Sequence, residues 1–107
     1  MHNLKELKIW HKAMDLTVEV YKATADFPKE EKYGLTSQIR RASVSIPSNI
    51  SKGAGRNSDG EFIYFLGVAN GSSYELQTQL VLANKLSLLA DNIIAPLLSE
   101  IDSLQNR

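Results

Sequence analysis

Apolar residues recur three and four positions apart along most of the chain, the pattern of helices that each bury one face. From about Leu7 to Ala25, Ile9, Ala13, Leu16, Val20 and Ala23 form such a seam. Met14, Val18 and Tyr21 widen it, which predicts a helix with two neighbours. Phe27-Pro28 ends the segment, since the residue before proline avoids helical geometry. Residues 29–34 read as a short connection leading to Gly34. A second helix is predicted from about Leu35 to Gly53, with Leu35, Ile39, Ala42, Ile46, Asn49 and Ile50 on one stripe. Pro47 sits inside it, yet the stripe crosses the proline without a phase break. The spacing therefore predicts one kinked helix. The proline removes a backbone bond and crowds the carbonyl of Ser43, at about 3 kcal/mol in an ordinary helix interior.

The third segment has the clearest start. Ser58-Asp59-Gly60-Glu61 matches a capping box, in which serine accepts from the third helical amide and glutamate reaches back. Phe62, Phe65, Ala69, Ser72, Leu76, Gln79, Ala83 and Leu86 then follow helical spacing, with Leu66 and Leu80 beside them. The fourth segment carries Ile94, Leu97, Leu98, Ile101 and Leu104, with Asp91 or Asn92 as its cap. No strand alternation is sustained. Short connections favour antiparallel neighbours, so the fold class is all-α. The expected architecture is an up-down-up-down four-helix bundle with a kinked second helix, one domain over residues 1–107.

Composition narrows the chemistry. The 107 residues contain no cysteine, which excludes disulfides, thiolate metal sites and a cysteine nucleophile. The N-terminal MHNLKELKIW does not read as a signal peptide, and no apolar run reaches membrane-span length. A cytoplasmic protein is the plain expectation. The formal net charge is zero but unevenly spread. Residues 29–56 hold Lys29, Lys32, Arg40, Arg41, Lys52 and Arg56 against Glu30 and Glu31. Residues 57–107 hold Asp59, Glu61, Glu75, Asp91, Glu100 and Asp102 against Lys85 and Arg107. This division implies a basic and an acidic face, or simply solvated helix surfaces.

Arg40, Arg41, Lys52 and Arg56 are the candidate nucleic-acid contacts, because clustered Arg and Lys attract a phosphate backbone. The competing reading is an exposed face with a dipole complement at the helix end. Gly53-Ala54-Gly55-Arg56 follows a helix and lacks the Lys-Ser/Thr ending of a phosphate loop, so it reads as a left-handed C-cap. Ser43, Ser45, Ser48 and Ser51 belong to no nucleophile motif. They are placed to satisfy carbonyls freed by Pro47 or to let helices pack closely. His11 and Asp15 share a face but have no evident third metal ligand. Gly67 and Gly71, four apart inside the third helix, suggest close approach of another backbone or ring, within the chain or between subunits. Trp10, Tyr64 and Tyr74 are surplus aromatics suited to a subunit interface or to the bundle ends.

Several of these motifs recur in order in one family. Gln38-Ile39-Arg40-Arg41-Ala42, Ser45-Ile46-Pro47-Ser48-Asn49-Ile50 and Gly53-Ala54-Gly55-Arg56 resemble the signature of bacterial four-helix-bundle proteins encoded within intervening sequences of 23S ribosomal RNA genes. Leu7 to Ala13, Phe27-Pro28, Tyr33-Gly34-Leu35 and Phe62 to Leu80 extend the likeness over most of the chain. The accessory variability determinants of diversity-generating retroelements are relatives. The family usually carries an acidic residue where this chain has Lys52. The resemblance implies a homopentamer without catalytic site or cofactor. It implies a partner such as RNA or a reverse-transcriptase-like nucleoprotein. The functional expectation is a non-enzymatic oligomeric adaptor that binds nucleic acid or nucleoprotein. The alternative is a structural or protein–protein interaction module that touches no nucleic acid.

Overall fold

A computed structural model describes residues 1–105. It contains α1 (Lys8–Thr24), α2 (Leu35–Ala54), α3 (Asp59–Lys85) and α4 (Asp91–Gln105), with single 3-10 turns at Leu4–Glu6 and Lys29–Glu31. No strand occurs among the described residues. α2 packs on α1 and α3, and α4 closes the ring of contacts against α3 and α1. Bonded pairs run in opposed chain directions. Thr24 meets Arg40 while Thr17 meets Ser43, and Asn84 meets Asp91 while Ser73 meets Gln105. This is the sense expected of an up-down-up-down bundle. The core is built from the stripes seen in the sequence: Leu16, Val20, Ile39, Leu76, Leu80 and Ile101 are fully buried.

Pro47 lies inside α2 and is itself buried. Its missing N–H leaves the carbonyl of Ser43 without the usual helical donor. The sequence assigned that task to neighbouring serines, but the donor is Thr17 of α1, whose hydroxyl lies 3.0 Å from the Ser43 oxygen and 2.9 Å from its own Ala13 carbonyl. The proline is thus accommodated across the α1–α2 seam. The serines act elsewhere: Ser43 donates to the Arg40 carbonyl, and Ser45 meets Ser72 of α3 at 2.8 Å.

The end of α2 differs from the expected left-handed cap. Gly55 has φ −82° and ψ −2°, and no described glycine has positive φ. The Gly55 amide donates to Ser51 at 3.2 Å and the Arg56 amide to Gly53 at 3.1 Å. Gly53 is small for a different reason. A Cβ there would lie 2.9 Å from Phe65 Cβ and 3.2 Å from the Phe62 carbonyl, so α3 passes too close to α2 for any side chain. The left-handed residue is instead Ser87, at φ 63°. Leu88 N–H reaches the Ala83 carbonyl at 2.9 Å and Ser87 N–H reaches Asn84 at 3.0 Å, a Schellman closure of α3.

The serine half of the capping box at Ser58 forms, with the Glu61 amide donating to the serine hydroxyl at 3.2 Å. The glutamate carboxylate accepts from the Ser58 hydroxyl at 3.2 Å instead of from its backbone amide. Asp91 is the first residue of α4, so the expected cap at Asp91 or Asn92 is corrected: Ala90 precedes the helix, and the Asp91 carboxylate accepts from the Asn84 side chain at 2.7 Å.

Two expectations about packing are refined. α1 does have two neighbours, α2 and α4, but Met14, Val18 and Tyr21 stay largely exposed rather than forming a second buried seam. Gly67 and Gly71 are also exposed, and a Cβ at either meets nothing within 4 Å. Neither glycine needs positive φ or internal space, yet each lowers helix stability by about 1 kcal/mol relative to alanine.

Candidate nucleic-acid interface

Each of the four candidate cations lies on α2 or just beyond it, and the fold divides them. Adjacent helical residues point about 100° apart, so Arg40 and Arg41 diverge. Arg40 turns to α1. Its Nε donates to Thr24 Oγ1 at 2.9 Å, its Nη2 to the Tyr21 carbonyl at 3.3 Å, and its guanidinium sits 4.5 Å above the Tyr21 ring. Here it bonds one carbonyl of the last turn of α1, that of Tyr21, and opposes the negative end of that helix. Thr24 is buried and passes its own proton to Val20 at 2.9 Å, so Arg40 belongs to a closed network.

Arg41 and Lys52 are exposed. Eleven residues separate them, three turns plus about 20°, so they share one face of α2, about 16 Å apart along its axis. Arg56 follows one turn after Lys52 and lies 4.9 Å above the Phe65 ring of α3. Aromatic stacking fixes the guanidinium plane while leaving its N–H groups free for another acceptor. Exposed Arg41 and Lys52 therefore share one face of α2, Arg56 lies exposed just beyond the helix end over α3, and Arg40 is turned away. None of these residues has a carboxylate partner among the described residues, where the ion pairs are His2–Asp59 and Glu19–Lys22. α2 itself contains no acidic residue.

The aromatic and glycine candidates fall on two other faces. Trp10 is half-buried beside a groove of about 300 Å³ between α1 and α2, lined also by Met14, Val44 and Pro47. Tyr64, Gly67, Gly71 and Tyr74 all lie on the outer side of α3. Both tyrosines are more than half exposed. Trp10 thus lies on α1, apart from the other four subunit-interface candidates on α3.

Other polar groups are absorbed by structure. His11 Nε2 lies 2.8 Å from the Lys5 carbonyl, and Asp15 lines a groove of about 500 Å³ between α1 and α4 with Glu19 and Glu100. No group of three His, Asp or Glu side chains with metal-binding geometry occurs among the described residues. His2 stacks on Phe62 at 4.1 Å and its amide donates to Ala54 at 2.9 Å, which ties the N-terminus to the α2–α3 turn. No helix among the described residues is long and apolar enough to cross a membrane.

A four-helix all-α fold with an unpaired cationic flank is the class that geometry defines. The chain belongs to the 23S rRNA-intervening sequence protein family, whose model matches residues 5–107. No curated protein matches the chain significantly.

Proposed function

We propose that the protein is a non-enzymatic, oligomeric adaptor of the bacterial cytoplasm that holds nucleic-acid phosphate along Arg41, Lys52 and Arg56. The observation that carries this reading is the flank itself: three exposed cations without carboxylate partners, two of them in register on a helix that has no acid. Membership of a family tied to ribosomal RNA genes agrees with an RNA or nucleoprotein partner. A ring of five copies, the assembly implied by the resemblance, would repeat the flank and raise avidity through multivalency. Arg40 supports the flank by holding α2 against α1.

Binding of this kind follows backbone charge and shape more than base sequence. The test is filter binding of a single-stranded RNA and an RNA hairpin over a range of salt. Affinity should fall steeply with salt for both. A triple Arg41/Lys52/Arg56→Gln variant should lose most of it. Equal binding by wild type and triple variant would refute the reading. The stretch of α3 from Phe62 to Tyr74, exposed on its outer side and without a charged residue, favours a second reading, an interaction module that contacts protein alone. Absence of RNA binding together with self-association would select it.

A further inference from the structure

The seam between α2 and α3 sets an exposed aromatic ring beside the cations. Ser45 of α2 meets Ser72 of α3 at 2.8 Å, which marks where the two helices touch. Lys52 comes seven residues after Ser45, two turns less about 20°, so it stands on the α3 side of α2. Arg56 reaches α3 outright, with its guanidinium 4.9 Å above the Phe65 ring. Tyr64 packs edge-to-face against that same ring, at 5.2 Å and 82°. The Arg56 charge is therefore within about 10 Å of the Tyr64 ring. Tyr64 is 66% exposed, and its hydroxyl has no partner among the described residues. Phe65 braces the ring while most of it stays in solvent. The acids on this side of α3 are Glu61, whose carboxylate accepts from the Ser58 hydroxyl, and Glu75, about three turns beyond Tyr64. Neither pairs with Lys52 or Arg56.

A ring held beside unpaired cations suits single-stranded nucleic acid: the cations track phosphate, and the ring stacks a base whatever its identity. A duplex keeps its bases stacked on one another and offers the ring nothing. We propose that Tyr64 stacks an unpaired base of a strand whose phosphates lie on Lys52 and Arg56. The ligand is then a single strand or an unpaired loop. The assignment rests on the phosphate reading of these cations and adds the form of the ligand to it. It also separates the two exposed tyrosines of α3. Tyr64 is about 80° round the helix from Ser72, at the edge of the seam, whereas Tyr74 is about 160° from Ser72 and faces away from α2.

The experiment is filter binding, at several salt concentrations, of a short mixed-sequence RNA and of the same strand in a blunt duplex. Tyr64→Leu should weaken binding of the single strand roughly tenfold and leave the duplex unchanged. Its slope of log K against log salt should match wild type, because no phosphate contact is lost. Tyr64→Trp should hold the strand at least as tightly as wild type, and Tyr74→Leu should bind as wild type does. Circular dichroism and light scattering should show all three variants folded and at the wild-type mass. If Tyr64→Leu binds like wild type while Arg41/Lys52/Arg56→Gln does not, the stacking is overturned and the phosphate reading stands. Equal losses on strand and duplex, or a changed mass that places Tyr64 between subunits, would also overturn the stacking. Failure of wild type to bind either RNA would overturn both.

Discussion

The carbonyl of Ser43 offers a direct test of how α2 tolerates Pro47. Ser43 is fully buried, and Pro47 has no N–H to offer its oxygen. Thr17 Oγ1 takes its place at 3.0 Å. Thr17→Val keeps the shape and removes the hydroxyl. A buried acceptor left without a partner costs about 1–3 kcal/mol, so the variant should be destabilised by about 2 kcal/mol. Pro47→Ala restores an amide four residues after Ser43. In that background the helix supplies its own donor, and Thr17→Val should cost only about 0.5 kcal/mol. The double-mutant cycle therefore predicts a coupling of roughly 1.5 kcal/mol, well above the few tenths expected of independent sites. Urea unfolding of the four proteins at one protein concentration measures it. Additive costs would show that Ser43 finds its partner elsewhere, and that Thr17 is not what accommodates the proline.

Three further outcomes follow from the backbone and the α1–α2 junction. Ser87→Gly should stabilise the protein by about 1 kcal/mol, since glycine adopts the left-handed region without the Cβ penalty; a thermal scan should show a rise of roughly 4–8 °C. Gly53→Ala should destabilise it by about 1–3 kcal/mol in urea unfolding, because the added Cβ would sit 2.9 Å from that of Phe65. Arg40→Gln should lower the unfolding midpoint more than Arg41→Gln, since only Arg40 bonds Thr24 and Tyr21.

The four helices were legible because their apolar stripes match the core nearly residue for residue, and Ser58 was legible because a capping box is local chemistry. What the sequence concealed was non-local. Gly53 and Gly55 resemble a left-handed cap in composition, but whether glycine serves handedness or close approach depends on where Phe65 lies. The donor to Ser43 is 26 positions away on another helix. Ser87 carried no signal, because serine rarely takes positive φ. The candidate cations were found by type, and their division was partly readable: adjacency already showed that Arg40 and Arg41 diverge. That Arg40 is the one turned inward depended on Tyr21 and Thr24 sitting opposite it. Gly67 and Gly71 looked alike as close-packing glycines until the fold showed nothing beside them.

The salt dependence of RNA binding, compared between Lys52 and Arg40 variants, tests the central claim most directly. If Arg41, Lys52 and Arg56 contact phosphate, Lys52→Gln should flatten the slope of log K against log salt by roughly 0.7 to 1. Lys52→Glu, which reverses the charge, should weaken binding further. Arg40→Gln should leave the slope of the folded protein unchanged, because its guanidinium is spent on α1. Equal slopes for wild type and both Lys52 variants would contradict the account, as would a slope that changes with Arg40 alone.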